Sequence, residues 1–142
     1  MKIDLHYPAT PDNAAEHAEL AVRAAREEFE LQLDYSAESV DEADAQIEWM
    51  RDQGLTGEEA AEPLFVLGCY VGEVMVRNLR GRWISTVRSA LAGISPWPMV
   101  VVLPGGGTWD PIGKAYKRLE LGDSEYLPAF YAAAAGAVPP DP

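Results

Sequence analysis

The chain has 142 residues, of which 48% are hydrophobic and 24% are charged, a composition that fits one globular domain and excludes a disordered or fibrous protein. Its 23 acidic and 11 basic residues give a formal net charge of −12 at pH 7. Because phosphate backbones and anionic lipids repel such a chain, we expect no binding to nucleic acid or to a membrane surface.

We expect a cytoplasmic protein without a secretory signal or a transmembrane segment. The first residues lack a basic region followed by a continuous apolar stretch. The longest apolar run, Leu64 to Val76, contains Glu73 and is shorter than the ~20 residues that cross a bilayer. Cys69 is the only cysteine, which excludes an intrachain disulfide and a cysteine-based zinc site, and its apolar neighbours predict a buried thiol.

The N-terminal part of the chain predicts a strand followed by two helices. Residues 2 to 7 alternate apolar and polar side chains, which is the period of a half-buried strand. Thr10-Pro11-Asp12 then has the pattern of a helix start, and apolar residues at helical spacing predict an amphipathic helix to about Leu31. Ser39-x-x-Glu42 has the pattern of a capping box, in which the serine side chain accepts from the Glu42 N–H, and opens a second helix that Gly54 ends.

The second helix has an apolar stripe and an acidic side. The stripe consists of Val40, Ala43, Ile47 and Met50. At 100° per residue, Asp41, Asp44 and Glu48 fall together on an adjacent polar face. Trp49 projects roughly 140° from the centre of the stripe, so the helix does not bury it by its own pattern. We interpret the three acids as a solvated face rather than a cation site, and treat them with Trp49 as candidate partner-binding residues.

A third helix is predicted to form the centre of the domain. Thr56-x-x-Glu59 repeats the capping box, and Pro63 requires a kink or a fresh helix start. From Leu64 to Leu79 apolar residues occur on nearly all sides, which is typical of a buried helix. Gly68 and Gly72 would let another element approach this helix closely.

The remaining chain predicts strands at residues 82–87 and 99–103, a short returning strand at 108–109, and two helices that begin near Asp110 and Asp123. We therefore expect an α+β fold, with N-terminal helices and the buried central helix packed on a small, mainly antiparallel sheet, and with C-terminal helices. Residues 1–131 form the single domain in this prediction, and residues 132–142 form a flexible C-terminal tail.

The charge is distributed unevenly along the chain. Residues 1–62 hold 17 acidic and 4 basic residues, a net charge of −13, whereas residues 63–142 hold 6 acidic and 7 basic residues, a net charge of +1. All seven of those bases lie between Arg77 and Arg118. Part of this asymmetry can be neutralised across the fold, and the remainder either steers a basic partner or keeps the protein soluble.

Tyr70, Glu73 and Arg77 form a polar strip on the otherwise apolar central helix. Glu73 stands four residues before Arg77, the favourable orientation for a helical ion pair. One interpretation is a buried structural pair, with Tyr70 attached, that fixes the helix against the sheet. The other is a pocket in which Glu73 acts as a base or ligand carboxylate beside Arg77, with Asn78 and Asp110 as further candidate residues.

The sequence shows no established catalytic motif. Gly105-Gly106-Gly107 lacks the lysine and hydroxyl residue of a phosphate-binding loop, His6 and His17 have no metal-ligand spacing, and no nucleophile elbow occurs. We therefore predict no catalytic residue, no metal site and no cofactor.

Three motifs together resemble a family of small, acidic, uncharacterised bacterial proteins of the domain-of-unknown-function kind seen in actinobacteria. They are Leu33-Asp34-Tyr35-Ser36-x-x-Ser39, Tyr70-x-Gly72-Glu73-x-x-x-Arg77-Asn78 and Gly81-x-Trp83. The resemblance covers roughly residues 30 to 130 and implies no activity, cofactor or catalytic residue.

Two functional hypotheses follow. The first is a non-enzymatic protein-interaction domain whose acidic helices bind a basic protein partner, of which an immunity-type inhibitor of a toxin is one kind. The second is a small-molecule-binding or hydrolytic domain with a pocket around Glu73 and Arg77. Exposure of these two side chains in an open cleft would favour the second hypothesis, and a sealed pair would favour the first.

Overall fold

The computed structural model describes residues 7–140, and within that range five α-helices pack on a three-stranded antiparallel sheet. The helices are α1 (Ala14–Phe29), α2 (Ser39–Asp52), α3 (Ala61–Leu79), α4 (Pro111–Leu121) and α5 (Leu127–Ala137). The strands are β1 (Arg82–Ser85), β2 (Met99–Leu103) and β3 (Gly107–Trp109). The predicted α+β class is confirmed. The strand predicted for residues 2 to 7 lies outside the described residues, apart from Tyr7.

Helix α1 lies along α3 through a row of small side chains. Its alanines Ala14, Ala18, Ala21 and Ala25 are buried. Between them His17 is also buried and meets Phe65 of α3 edge-on, with 4.9 Å between the ring centres. The helix ends where Glu30 adopts a left-handed conformation (φ 55°), close to the predicted end at Leu31.

The two predicted capping boxes have different outcomes. At the start of α3 the box forms: the Thr56 N–H donates to Glu59 Oε1 (3.0 Å) and the Glu59 N–H donates to Thr56 Oγ1 (3.2 Å). A turn follows, and α3 starts afresh at Ala61, as Pro63 requires. At the start of α2 the capping box is wrong, because the Ser39 hydroxyl donates to the Ser36 carbonyl (2.6 Å) and contacts Tyr70 Oη (2.5 Å) instead of the Glu42 N–H.

Helix α3 is the buried centre of the structure, as predicted. Its residues from Pro63 to Met75 are all buried. Two of its glycines are required for close packing: a Cβ at Gly68 would lie 2.5 Å from Ile112 Cα of α4, and a Cβ at Gly72 would lie 2.1 Å from Trp83 Cζ2 of β1. The sheet and α4 therefore approach α3 at positions where it has no side chain.

The sheet has the order β1-β2-β3, with both pairs antiparallel. In the central strand β2 the residues Met99, Val100, Val101 and Leu103 are buried. Val101 stands opposite Trp83 on one side and Trp109 on the other. This cross-strand row of an indole, a β-branched residue and a second indole stabilises the sheet face.

The C-terminal helices differ from the prediction in where α5 begins and ends. Asp110 caps α4, since its Oδ1 accepts from the Gly113 N–H at 2.9 Å, as its position before Pro111 predicted. Helix α5 begins later than predicted, at Leu127, after a 3₁₀ turn at Gly122–Glu125. Residues 132–137, predicted as part of a flexible tail, continue this helix, and Ala134 is fully buried, so the tail prediction is wrong for this segment.

The close approach at Gly72 gives a direct test of this packing. Gly72→Ala places a methyl group inside the Trp83 ring, so we expect the free energy of unfolding to fall by about 1–3 kcal/mol in urea denaturation. The matched control is Gly136→Ala in α5, where the new Cβ meets nothing within 4 Å. The control should keep or raise stability by up to about 1 kcal/mol, because alanine favours a helix over glycine. Equal stabilities for the two variants would contradict the described packing.

Candidate functional site

The acidic side of α2 is not a solvated face, because a buried arginine binds it. The Arg118 side chain is only 2% exposed. Its Nε donates to Asp44 Oδ1 (2.9 Å), and its Nη2 donates to Asp44 Oδ2 (3.2 Å) and to Glu48 Oε2 (2.7 Å). Asp44 Oδ1 also accepts from the Leu127 N–H at the start of α5 (3.0 Å). Asp44 is therefore a buried structural residue, and its assignment to a partner-binding face is wrong.

Glu48 and Asp41 each bind another side chain of the protein and still reach solvent. The Glu48 side chain is 41% exposed although it binds Arg118, and Asp41 is exposed while accepting from the Tyr126 hydroxyl (2.8 Å). Burial works to lower the pKa of Arg118, but its hydrogen bonds to Asp44 and Glu48 raise that pKa overall, so the guanidinium stays charged. Of the three acids, Asp41 and Glu48 still reach solvent.

Trp49 is the exposed aromatic residue of α2, in agreement with its position away from the apolar stripe. Its side chain is 42% exposed. It packs edge-on against Phe29 at the end of α1, with 5.2 Å between ring centres. The exposed Asp52 follows one turn later on α2. The structure thus holds a half-exposed indole, packed on Phe29, one turn before an exposed carboxylate on α2.

The Glu73–Arg77 pair is sealed on the carboxylate side. Glu73 is 7% exposed, and its Oε2 accepts from Arg77 Nε while its Oε1 accepts from Trp83 Nε1, both at 3.2 Å. The Arg77 side chain is 45% exposed and its guanidinium carbon lies 3.6 Å above the centre of the Tyr35 ring. Both oxygens of Glu73 are therefore used inside the protein, one within α3 and one to join α3 to β1, which fits the structural interpretation of the strip.

Tyr35, which the sequence places in the Leu33–Ser39 motif and not in this strip, joins the other residues of the strip. Its N–H donates to the Tyr70 hydroxyl (2.8 Å), and its carbonyl accepts from Asn78 Nδ2 (2.8 Å). The Tyr70 hydroxyl is thus directed towards Tyr35 and Ser39, and not towards Glu73. Tyr35 has a left-handed backbone conformation (φ 64°), which is rare for a tyrosine. No local sequence pattern predicts this conformation.

Burial keeps the other titratable groups of this region neutral. It raises the pKa of the Tyr70 hydroxyl, while hydrogen bonding with Ser39 and the bond from the Tyr35 N–H act in the opposite direction. It also raises the pKa of the Cys69 thiol, and the nearby negative charge of Glu73 adds to that rise. Cys69 is fully buried as predicted, so its thiol is protonated and inert at neutral pH.

Asp110 does not join the other pocket candidates. Its Oδ1 caps α4, and its Oδ2 accepts from the Ser95 hydroxyl at 2.7 Å. It borders a separate cleft whose walls do not include Tyr70, Glu73 or Arg77. Asp110 therefore does not share a pocket with Glu73 and Arg77, contrary to the second interpretation.

Among residues 7–140, no three His, Cys, Asp or Glu side chains are grouped so that they could hold a metal ion. Over the same range, none of the helices has the length and apolar character needed to span a bilayer.

Comparison of the chain with protein-family models, with curated proteins and with solved structures finds no match. The resemblance to small acidic bacterial proteins stays a prediction. In the structure its three motifs meet: Ser39 and Tyr35 bind Tyr70, and Trp83 binds Glu73.

The two hydrogen bonds to Glu73 predict how its amide variant behaves. In Glu73→Gln the side chain keeps one acceptor oxygen, so an amide N–H must face either Arg77 Nε or Trp83 Nε1. We expect the free energy of unfolding to fall by about 1–3 kcal/mol, measured by chemical denaturation. Glu62→Gln, which neutralises an exposed carboxylate in the first turn of the same helix, is the control and should lose no more than about 0.5 kcal/mol, since only its interaction with the helix N-terminus changes. A Glu73 variant as stable as this control would argue for a ligand-binding carboxylate instead.

Proposed function

We propose that this chain is a non-enzymatic protein-interaction domain that binds a basic protein partner. The binding region is the exposed acidic side of α1 and α2, with Trp49 as its apolar anchor. We call this region the acidic surface and define it by Trp49 and five exposed acids: Glu16, Glu19, Glu27, Asp41 and Asp52. An immunity-type inhibitor of a basic toxin is the specific role we propose within this class, by analogy of size, charge and fold class alone.

The observation that carries the proposal is the exposure of Trp49. Trp49 is 42% exposed and packs against a second aromatic ring, so its indole is already ordered before a partner covers it. Interface hot spots are enriched in tryptophan, and rigid anchors lose little conformational entropy when a partner covers them. The Phe29 contact supplies that rigidity here.

The charge around Trp49 supports a basic partner. Residues 1–62 carry a net charge of −13, and Arg118 from the C-terminal half pairs with Asp44 and Glu48 among the described acids of this segment. Arg51, the base of α2, donates to the carbonyl groups of Leu119 and Glu120. The acids of the acidic surface thus keep a negative field that accelerates association with a positive protein and weakens with salt.

The second hypothesis, a pocket around Glu73 and Arg77, has no comparable support. A ligand carboxylate or general base needs a free oxygen that faces a cavity. Both oxygens of Glu73 accept hydrogen bonds from the protein, and the side chain is almost fully buried. We therefore do not propose this function.

The test is the capture of a partner on the immobilised chain, with affinity then measured for the wild type and two variants. Trp49→Ala should weaken binding by about tenfold or more, as for a hot-spot residue. Ile94→Ala, which removes a 75% exposed apolar side chain outside the acidic surface, is the matched control and should not change affinity. Affinity for wild type should fall as the salt concentration rises from about 0.05 to 0.5 M. A partner insensitive both to salt and to Trp49→Ala would contradict the proposal.

A further inference from the structure

A cleft of about 650 Å³ lies between the segment before α3, the loop that joins β1 to β2, and α4. We call it the Trp97 cleft. Its apolar wall consists of Ala61, Leu91, Ile94, Pro96, Trp97 and Tyr116. The volume lies within the roughly 300–1,000 Å³ of pockets that take small organic ligands. Ile94, which lines this cleft, is 75% exposed because no other part of the described chain covers it.

The walls of the Trp97 cleft are tied together by side chains. The indole of Trp97 is stacked on the Tyr116 ring of α4 at 4.2 Å with an angle of 22° between the planes. The Tyr116 hydroxyl donates to the Ala61 carbonyl of α3 (2.9 Å). Ser95 donates to Asp110 at the start of α4 and its hydroxyl oxygen accepts from the Trp97 N–H (3.2 Å). The loop and the two helices are therefore fixed before any ligand arrives, which lowers the entropy lost on binding.

Gly113 shows that this arrangement depends on close packing. A Cβ at this position would lie 2.5 Å from Asp110 Oδ2 and 3.0 Å from Trp97 Cδ1. Because Gly113 has no side chain, the carboxylate of Asp110 and the indole edge of Trp97 pack directly against the first turn of α4.

The charges of the Trp97 cleft favour a cation. Glu58 and Glu120 are exposed, and their carboxylates make no hydrogen bond or ion pair with any described side chain. Lys117 is the base among the lining residues, so the two free carboxylates outnumber it. The carboxylate of Asp110 is already engaged by Ser95 and Gly113. An ammonium group is attracted both by such carboxylates and by the electron-rich rings of tryptophan and tyrosine.

We propose that the Trp97 cleft binds a small organic amine with an apolar body. The apolar part lies against the wall that contains Ile94 and Trp97, and the ammonium group meets Glu58 and Glu120. This binding is independent of the acidic surface around Trp49, so either proposal can fail without the other.

The test compares three probes that share a phenyl ring and differ in their polar group: 2-phenylethylamine, 2-phenylethanol and 3-phenylpropionate. Each is titrated into the ¹⁵N-labelled full chain to about 10 mM, which covers the millimolar affinity expected of so small a ligand. The amine should shift the Trp97 indole signal and its neighbours, with an affinity at least about threefold above that of the alcohol. The carboxylate should bind more weakly than the alcohol. Equal binding of the three probes, or no shift at Trp97 with the amine, would overturn the proposal.

Charge variants at exposed positions test the same site without disturbing the fold. Glu58→Gln and Glu120→Gln should each weaken amine binding by about two- to fivefold, and Lys117→Gln should strengthen it by a similar factor. Trp49→Ala, outside the Trp97 cleft, is the control and should leave amine binding unchanged. Amine affinities that do not respond to any of the three charge variants would contradict the proposed orientation and the cation preference with it.

Discussion

A buried guanidinium joins the two halves of this protein. Arg118 on α4 binds Asp44 and Glu48 on α2, and Asp44 in turn accepts from the first N–H of α5. Removing one member of such a buried pair leaves the other charge unpaired, at a cost of about 3–5 kcal/mol. The side of α2 that carries these acids is therefore the contact with the C-terminal helices, and both C-terminal helices are held in place by it.

This pairing separates the acidic residues into two groups with different roles. Asp44 is buried and Glu73 nearly so, and each carboxylate is satisfied by protein donors, Glu73 by Arg77 and Trp83. The remaining acids of α1 and α2 lie outside, where water and salt screen them only in part. Recognition in this account depends on the exposed acids with Trp49, and on the Trp97 cleft as a second and chemically distinct site.

The sequence predicts the elements of this fold better than it predicts its polar contacts. The stripe of α2, the all-round apolar α3 and the apolar strand β2 follow from local periodicity, and the structure buries them as expected. The roles of Asp44 and Ser39 do not follow, because their partners, Arg118 and Tyr70, stand 74 and 31 residues away. A local pattern holds no information on which distant side chain competes for a hydroxyl or a carboxylate.

The two capping boxes illustrate this limit, since the same motif forms at Thr56 and fails at Ser39, where the Tyr70 hydroxyl is within reach. The end of the chain illustrates another. The tail was predicted from the proline-rich end of the chain, yet residues 132–137 continue α5, and Ala134 is buried because small side chains allow close helix packing. The Trp97 cleft could not be predicted from the sequence either, because its walls come from three separate segments of the chain.

The most direct test of the account is a double-mutant cycle between Arg118→Met and Asp44→Asn, measured by urea denaturation. Each single variant should lose about 3–5 kcal/mol, and the double variant should lose less than the sum by at least about 2 kcal/mol. A parallel cycle with Asp123→Asn, whose carboxylate lies 3.2 Å from Arg118 but is 93% exposed, should show no coupling beyond experimental error. Losses that simply add for Arg118 and Asp44 would mean that this buried pair does not hold the two halves together.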